Sequence, residues 1–285
     1  MITENENLIE SIIKQALAED LGESGDVTSL AIFSTEDQAS AIIKSKASGI
    51  LSGAYLIPKI FNILNPSVQC DIKVKDGDVL EKGTVICKLQ GPVHAILGGE
   101  RITLNFLQRL SGIATSTSKL VKAISHTSTR LLDTRKTTPN LRILEKKAVV
   151  HGGGYNHRFG LFDMILIKDT HVKRSGGVGN ALSEAIKFRG NNTDLKIEVE
   201  IQSLEEFLEA LSFMPDRIML DNMNTVDMTR CVHLVRTQHK PIELEASGNI
   251  TLETIRSVAE TGVDFISSGT ITHSAPALDI HLLIT

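Results

Sequence analysis

An α/β fold with a parallel sheet closed into a barrel is predicted by this sequence on three observations. Six short β-type runs, "RLLDT" (130–134), "MILIK" (164–168), "KIEVEI" (196–201), "RIMLD" (217–221), "IELEA" (242–246) and "VDFIS" (263–267), alternate with helix-like segments. Such alternation argues for parallel pairing, and about six units in ~150 residues suit a closed barrel better than the rival, a doubly wound open sheet. Finally, no GxGxxG opens a helix after the first strand, so the dinucleotide-binding form of that rival lacks its signature.

The 285 residues leave room for a barrel and a smaller companion. In chain order, Leu8, Ile9, Ile12, Ile13, Ala16 and Leu17 recur at helical spacing, and that helix should close near Gly22. From 40 to 95 the text is β-rich, with Asp76-Gly77 and Lys82-Gly83 marking tight connections. A helix is expected over 98–110 and another over 113–125, before the strand-helix rhythm begins. Within it, Pro139 with Thr138 as cap reads as a helix start, and Gly152 to Gly154 as a helix end.

Composition excludes several classes of function. With 41% hydrophobic residues, 22% charged and a net charge of −4, the chain is neither disordered nor basic enough to seek nucleic acid. The absence of Trp and an aromatic content of 4% remove the usual stacking platforms for bases. Cys70, Cys87 and Cys231 form no CxxC, which fits a reducing compartment. The start, MITENENLIE, is acidic, and no apolar stretch approaches ~18 residues, so neither signal peptide nor membrane span is expected and a cytoplasmic location is the default.

Polar residues stand at the C-terminal end of each predicted strand: Asp133-Thr134-Arg135-Lys136, Lys168, Glu200, Asp221, Ser247-Gly248-Asn249 and Ser267-Ser268-Gly269. In a parallel barrel these ends surround one mouth, where such folds keep their chemistry. Period-two alternation sets Glu198 and Glu200 opposite Ile197, Val199 and Ile201, and Asp221 with Met219 opposite Ile218 and Leu220. Arg135 and Lys136 just ahead of a helix N-terminus are disfavoured by its dipole, by roughly 0.3–1 kcal/mol, unless an anion binds there. Asn156, His157 and Arg158 add a second basic cluster, while the Ser-Gly pairs would let backbone amides approach a phosphate. The nine histidines include no HExxH and no Cys/His ligand spacing. A metal would then be a hard cation such as magnesium on carboxylate and phosphate oxygens.

The stretch "DTRKTTPNLRILEKKAVVHGGGYNHRFGLFDMILIKDTH" (133–171) closely resembles quinolinate phosphoribosyltransferase, as do "ALAEDLGESGDVTS", "GERITLNFLQRLSGIAT", "EASGNI" and "ISSGTITHSAPALDIHL" elsewhere. The resemblance implies an incomplete TIM-like barrel over 113–270, preceded by an N-terminal α/β sandwich over 1–112 on which 271–285 packs back. It also implies conversion of quinolinate and phosphoribosyl pyrophosphate to nicotinate mononucleotide, pyrophosphate and CO2 in de novo NAD synthesis, with Mg2+ and no organic cofactor, by a homodimer or an assembly of dimers. Quinolinate would meet Thr134, Arg135, Lys136, His157 and Arg158, with Arg101 supplied across the dimer interface. The phosphoribosyl donor would meet Lys168, Glu200, Asp221, Ser247, Gly248, Asn249, Ser267, Ser268, Gly269 and His273. Catalysis would fall to Lys136, Lys168, Glu200 and Asp221, the two acids also holding the metal. Lys147, where the family often has an aromatic, and Thr170, where it often has Asn, are departures that remove no needed charge.

Three rivals stand beside this reading: a paralogue acting on another aromatic acid, a Schiff-base lyase using Lys168, and a carrier module suggested by the hairpin text of 74–92. That hairpin shows no Met-Lys-Met-like tip to modify.

Overall fold

The protein is described by a computed structural model over residues 6–285; the first five residues of the acidic start lie outside the described residues. The chain divides into two compact units, one running to Ser118 and resuming over Thr137–Gly153 and Ser274–Thr285, the other made of Lys119–Lys136 and Gly154–His273. The division is interleaved: the sequence expectation is a cut near 112 with 271–285 returning to the N-terminal part, and the first unit takes in Thr137–Gly153 besides that C-terminal return.

In the first unit, α1 (Glu6–Leu21) buries Ile9, Ile12, Ile13 and Leu17 along one stripe. Asp26 caps α2 (Val27–Ile32), accepting from the amides of Thr28 at 3.1 Å and Ser29 at 3.2 Å. A four-stranded antiparallel sheet runs in the order β12 (Ile280–Ile284), β1 (Gln38–Ser45), β5 (Val85–Pro92), β3 (Gln69–Ile72), while β2 (Gly49–Ile50) pairs with β4 (Val79–Leu80). Ile43, Ile86 and Leu89 of the sheet share one core with Phe61 of α3 (Ile57–Leu64) and with Leu104 and Leu107 of α4 (Val93–Ala123).

Two expectations are corrected in this unit. The helices predicted over 98–110 and 113–125 are one helix, α4. Gly112 does not break it; a Cβ there would sit 2.1 Å from the Pro276 carbonyl oxygen, so the glycine serves close packing. The helix expected to start at Pro139 begins instead at Arg142 as α5 (Arg142–His151). Asn140 lies in the left-handed region at φ 64°, which interrupts helical winding after Pro139. Thr138 serves no cap: its amide and hydroxyl donate to the buried Glu145 carboxylate at 3.1 and 2.8 Å. The same carboxylate holds the Arg109 guanidinium at 2.9 Å.

In the second unit all six strands are parallel, in the order β6 (Arg130–Leu132), β11 (Phe265–Ser267), β10 (Glu243–Ser247), β9 (Arg217–Asp221), β8 (Ile197–Ile201), β7 (Ile165–Ile167). That order decides between the two α/β classes. A doubly wound sheet reverses direction at a switch point; here β7 to β11 follow one another without reversal, and β6, first in sequence, pairs with β11, last. The ring is a barrel open at one seam, between β6 and β7. The intervening helices are α6 (Asp169–Ser175), α7 (Val178–Arg189), α8 (Leu204–Phe213), α9 (Thr225–Thr237), α10 (Ile255–Ala259) and α11 (Thr270–His273). All five residues of β8 are buried, the apolar face among hydrophobic side chains and Glu198 and Glu200 on the other. Among the described residues no helix is long and apolar enough to cross a membrane.

Candidate active site

The C-terminal ends of the barrel strands converge on a cavity of about 780 Å³. Thr134, Arg135 and Lys136 reach it from the segment after β6, His157 and Arg158 from the segment that leads to β7, and Lys168 from the end of β7. Glu200 and Asp221 come from the ends of β8 and β9. Ser247, Gly248 and Asn249 follow β10; Ser267, Ser268, Gly269 and His273 follow β11. Every site residue expected from the sequence lines this wall except Arg101, which is exposed on α4 in the other unit.

Four cations, Arg135, Lys136, Arg158 and Lys168, face two carboxylates, Glu200 and Asp221, so the wall has an excess of positive charge. Burial and the neighbouring Arg135 charge both lower the Arg158 pKa. Lys168 Nζ lies 3.2 Å from Glu200 Oε2. Asp221 Oδ2 accepts from Asn222 Nδ2 at 2.9 Å and Gln202 Nε2 at 3.3 Å, which holds that oxygen in place. The Lys136 segment is tied down at both peptide groups: its amide donates to Thr134 Oγ1 at 3.0 Å and its carbonyl accepts from Thr272 Oγ1 at 2.8 Å.

The Ser-Gly loops differ in kind. Gly269 leads directly into the single turn of α11, as anticipated, but Ser247-Gly248 is separated from α10, which starts at Ile255. Gly248 is instead the pivot of a turn at φ 97°, where a Cβ would sit 2.2 Å from Asn222 Oδ1. Asn222 and Asn249 are themselves left-handed at φ 54° and 49°, and Asn249 Nδ2 donates to Asn222 Oδ1 at 3.1 Å. Backbone strain of this kind gathers at functional rims.

Sequence reading missed two groups. Leu166 and Ile250 add apolar surface to the cavity wall beside Met219, whose face the alternation gives, and Asn222 and Thr270 add polar contacts. Deeper in the barrel, Glu245 and Arg217 join His157 and Glu198. His157 Nε2 lies 3.1 Å from Glu198 Oε2 and 3.3 Å from Glu245 Oε2, and Arg217 Nη1 lies 2.9 Å from Glu245 Oε2. The alternation rule carried the signal: Glu245 stands two residues before Ser247, and Arg217 four before Asp221, on the same faces. Burial opposes a charge on His157, but the Glu245 and Glu198 carboxylates outweigh it and hold the imidazole pKa up to about 10. Burial and repulsion from Glu245 push Glu198 up to about 7. Glu198 and His157 therefore share one proton at neutral pH; with Arg217 cationic and Glu245 anionic, the quartet is neutral overall. His157, Glu198 and Glu245 also have the spacing of metal ligands, within 4.8 Å of one another, but Arg217 already supplies the positive charge there.

Fold and site together define a barrel enzyme with one cationic mouth for a small polyanionic substrate. Sequence profiles place it further: that of the quinolinate phosphoribosyl transferase N-terminal domain matches residues 26–111, and that of the C-terminal domain residues 113–283. The chain is 43% identical to the chloroplastic carboxylating nicotinate-nucleotide pyrophosphorylase of Arabidopsis thaliana, over 97% of this chain and 82% of that protein. It is 42% identical to the decarboxylating quinolinate phosphoribosyltransferase 1 of Nicotiana glauca, with the same coverage. The solved nicotinate-nucleotide pyrophosphorylase from Francisella tularensis matches with a TM-score of 0.91 at 39% identity, over 98% of this chain and 96% of that one. The chain belongs to the quinolinate phosphoribosyltransferase family.

Proposed function

We propose that this protein transfers the phosphoribosyl group of phosphoribosyl pyrophosphate to quinolinate, yielding nicotinate mononucleotide, pyrophosphate and CO2 in de novo NAD synthesis. The observation that carries the reading is the gathering of Arg135, Lys136, Arg158 and Lys168, from separate segments, in one cavity that also holds two acids and two Ser-Gly loops. Arg135 and Arg158, with Thr134 and Lys136, take the two ring carboxylates, and His157 lines the same pocket with its ring nitrogens turned to Glu198 and the Arg158 amide; guanidinium forks suit a planar dianion. In a homodimer, Arg101 of a second copy completes that pocket. Lys168, Glu200 and Asp221 hold the ribose and diphosphate, and Ser247, Gly248, Asn249, Ser267, Ser268, Gly269 and His273 the 5-phosphate.

Displacement at the anomeric carbon forms the bond to the pyridine nitrogen and breaks the bond to pyrophosphate. Positive charge grows on the ribose, beside Glu200 and Asp221, while negative charge grows on the leaving group, beside Lys136 and Lys168. The ribosylated nitrogen is cationic and stabilises the electron pair that stays on the adjacent ring carbon when its carboxylate departs as CO2; a proton then adds to that carbon. No organic cofactor is required. Magnesium suits the donor set: Asp221 Oδ2 is fixed by two amides, and Glu200 brings a second hard oxygen one strand away. With diphosphate oxygens these carboxylates would hold Mg2+, which would neutralise leaving-group charge. The ion pair of Lys168 with Glu200 supports a positive contact rather than a Schiff-base amine. A reducing, cytoplasmic setting fits Cys87 and Cys231, buried as free thiols.

Incubation with phosphoribosyl pyrophosphate, Mg2+ and quinolinate, with nicotinate in parallel, tests the reading. Mononucleotide and released CO2 are expected from quinolinate only. Turnover of nicotinate instead would assign the cavity to another aromatic acid.

A further inference from the structure

Glu198 and Glu245 are completely buried directly behind the cavity wall, and burial makes that a costly place for carboxylates. Barrel interiors are ordinarily filled by Val, Ile and Leu, and a buried ion network seldom outperforms such packing in stability. Filling space therefore does not account for them. Their geometry shows what they accomplish. Nε2 of His157 points between the two carboxylates, and Arg217 is itself fixed by Glu243 at 3.0 Å, by Glu245 and by the Phe265 ring at 4.0 Å. With the ring proton on Nε2 directed inward and the proton of the coupled pair on Glu198, Nδ1 of the same ring keeps its lone pair and accepts the Arg158 amide at 2.7 Å. The His157 amide donates to the buried Asp133 carboxylate at 2.8 Å, and Arg158 Nη1 donates to the Met164 carbonyl at 3.1 Å. Two consecutive amides and the guanidinium of the Arg158 segment are thus pinned before any substrate arrives.

We propose that Glu198, Glu245 and Arg217 are positioning residues: they orient the His157 ring, and through its Nδ1 they preset the Arg158 guanidinium for the dicarboxylate substrate. The inference rests on the assignment of Arg135 and Arg158 to quinolinate. An imidazole without its carboxylate partners is free to turn, so Arg158 would have to be ordered at the expense of substrate binding. The defect then belongs to quinolinate and not to the phosphoribosyl donor, which the other strand ends hold.

Steady-state kinetics of Glu198→Leu, Glu198→Gln and Arg135→Ala separate the possibilities. Glu198→Leu should raise the KM for quinolinate by about tenfold with the KM for phosphoribosyl pyrophosphate within about twofold, because only binding at one end of the cavity is affected. Glu198→Gln, which retains an acceptor for Nε2, should return the quinolinate KM to within about threefold of wild type. If Glu198→Leu is not recovered folded, Glu245→Ala, which removes the other carboxylate from Nε2, replaces it, with a selective rise of about tenfold in the quinolinate KM expected. A merely structural role would instead lower kcat or the melting temperature with both KM values unchanged or raised in parallel, and that result overturns the proposal. Arg135→Ala is the control: should it leave the quinolinate KM untouched, the site assignment fails and this inference falls with it. A rise in Arg135→Ala alone overturns the positioning role and leaves the site assignment standing.

Discussion

Arg135 carries the most direct prediction at the scale of single residues. Loss of a charge-assisted hydrogen bond costs about 1.5–3 kcal/mol, so Arg135→Ala should reduce kcat/KM for quinolinate by roughly 10- to 150-fold. As Arg135 stands at the cavity wall rather than in the apolar core, the melting temperature should stay near that of wild type. Calorimetry beside the assay checks both halves, and unchanged turnover would refute the pocket assignment. Gly248 gives a second prediction. Its φ of 97° and the 2.2 Å approach of a Cβ to Asn222 Oδ1 leave no room for a side chain. Gly248→Ala should therefore displace Asn222, whose amide holds Asp221, and weaken phosphoribosyl pyrophosphate more than quinolinate, as paired KM measurements would show. The strand-end residues were legible one by one because each follows a strand whose alternation is unambiguous. Asn222 was not, since its importance lies in a left-handed backbone and a partner 27 residues away.

Within elements, packing overrode local signals. Glycine inside a helix ordinarily costs about 0.5–1 kcal/mol relative to alanine, so Gly112→Ala in α4 would be expected to stabilise. The Pro276 carbonyl 2.1 Å from the new Cβ reverses the sign, and overpacking of about 1–3 kcal/mol should win. Denaturant unfolding will show a net loss if that contact is what keeps the position small. The segment of His157 carries a pH signature. The His157–Glu198 pair gives up its last proton only at about 10, above the unfolded histidine value, so that contribution is fully present below pH ~6.5 and is lost as pH rises through about 10. Glu198, raised to about 7, acts in the same direction, losing its contribution as pH rises from ~4.5 through about 7. The melting temperature should therefore decline between neutral and alkaline pH, more steeply than in Glu198→Gln; a flat alkaline profile would contradict the shared-proton quartet. The helix start misread at Pro139 has a related cause: Thr138 and Pro139 carry the local cap pattern, but Glu145 claims Thr138 from within the fold.

For the whole molecule, the proposal that a second copy supplies Arg101 predicts complementation. Arg101→Ala and Lys168→Ala subunits, each inactive alone, should regain part of wild-type activity after subunit exchange, to about a quarter if exchange is random. Mixtures that stay inactive with exchange confirmed by mass would remove the shared site. The sequence by itself determined the parallel strand-helix alternation and the cast of charged residues at the strand ends, because period-two alternation and strand-end placement are local properties that survive without knowledge of contacts. Only the tertiary structure decided that the ring opens between β6 and β7, that residues 137–153 belong with the first unit, and that His157 rests on Glu198 and Glu245. Those outcomes depend on pairing between strands and side chains as much as about 135 residues apart, and no local pattern encodes which distant partner will be met.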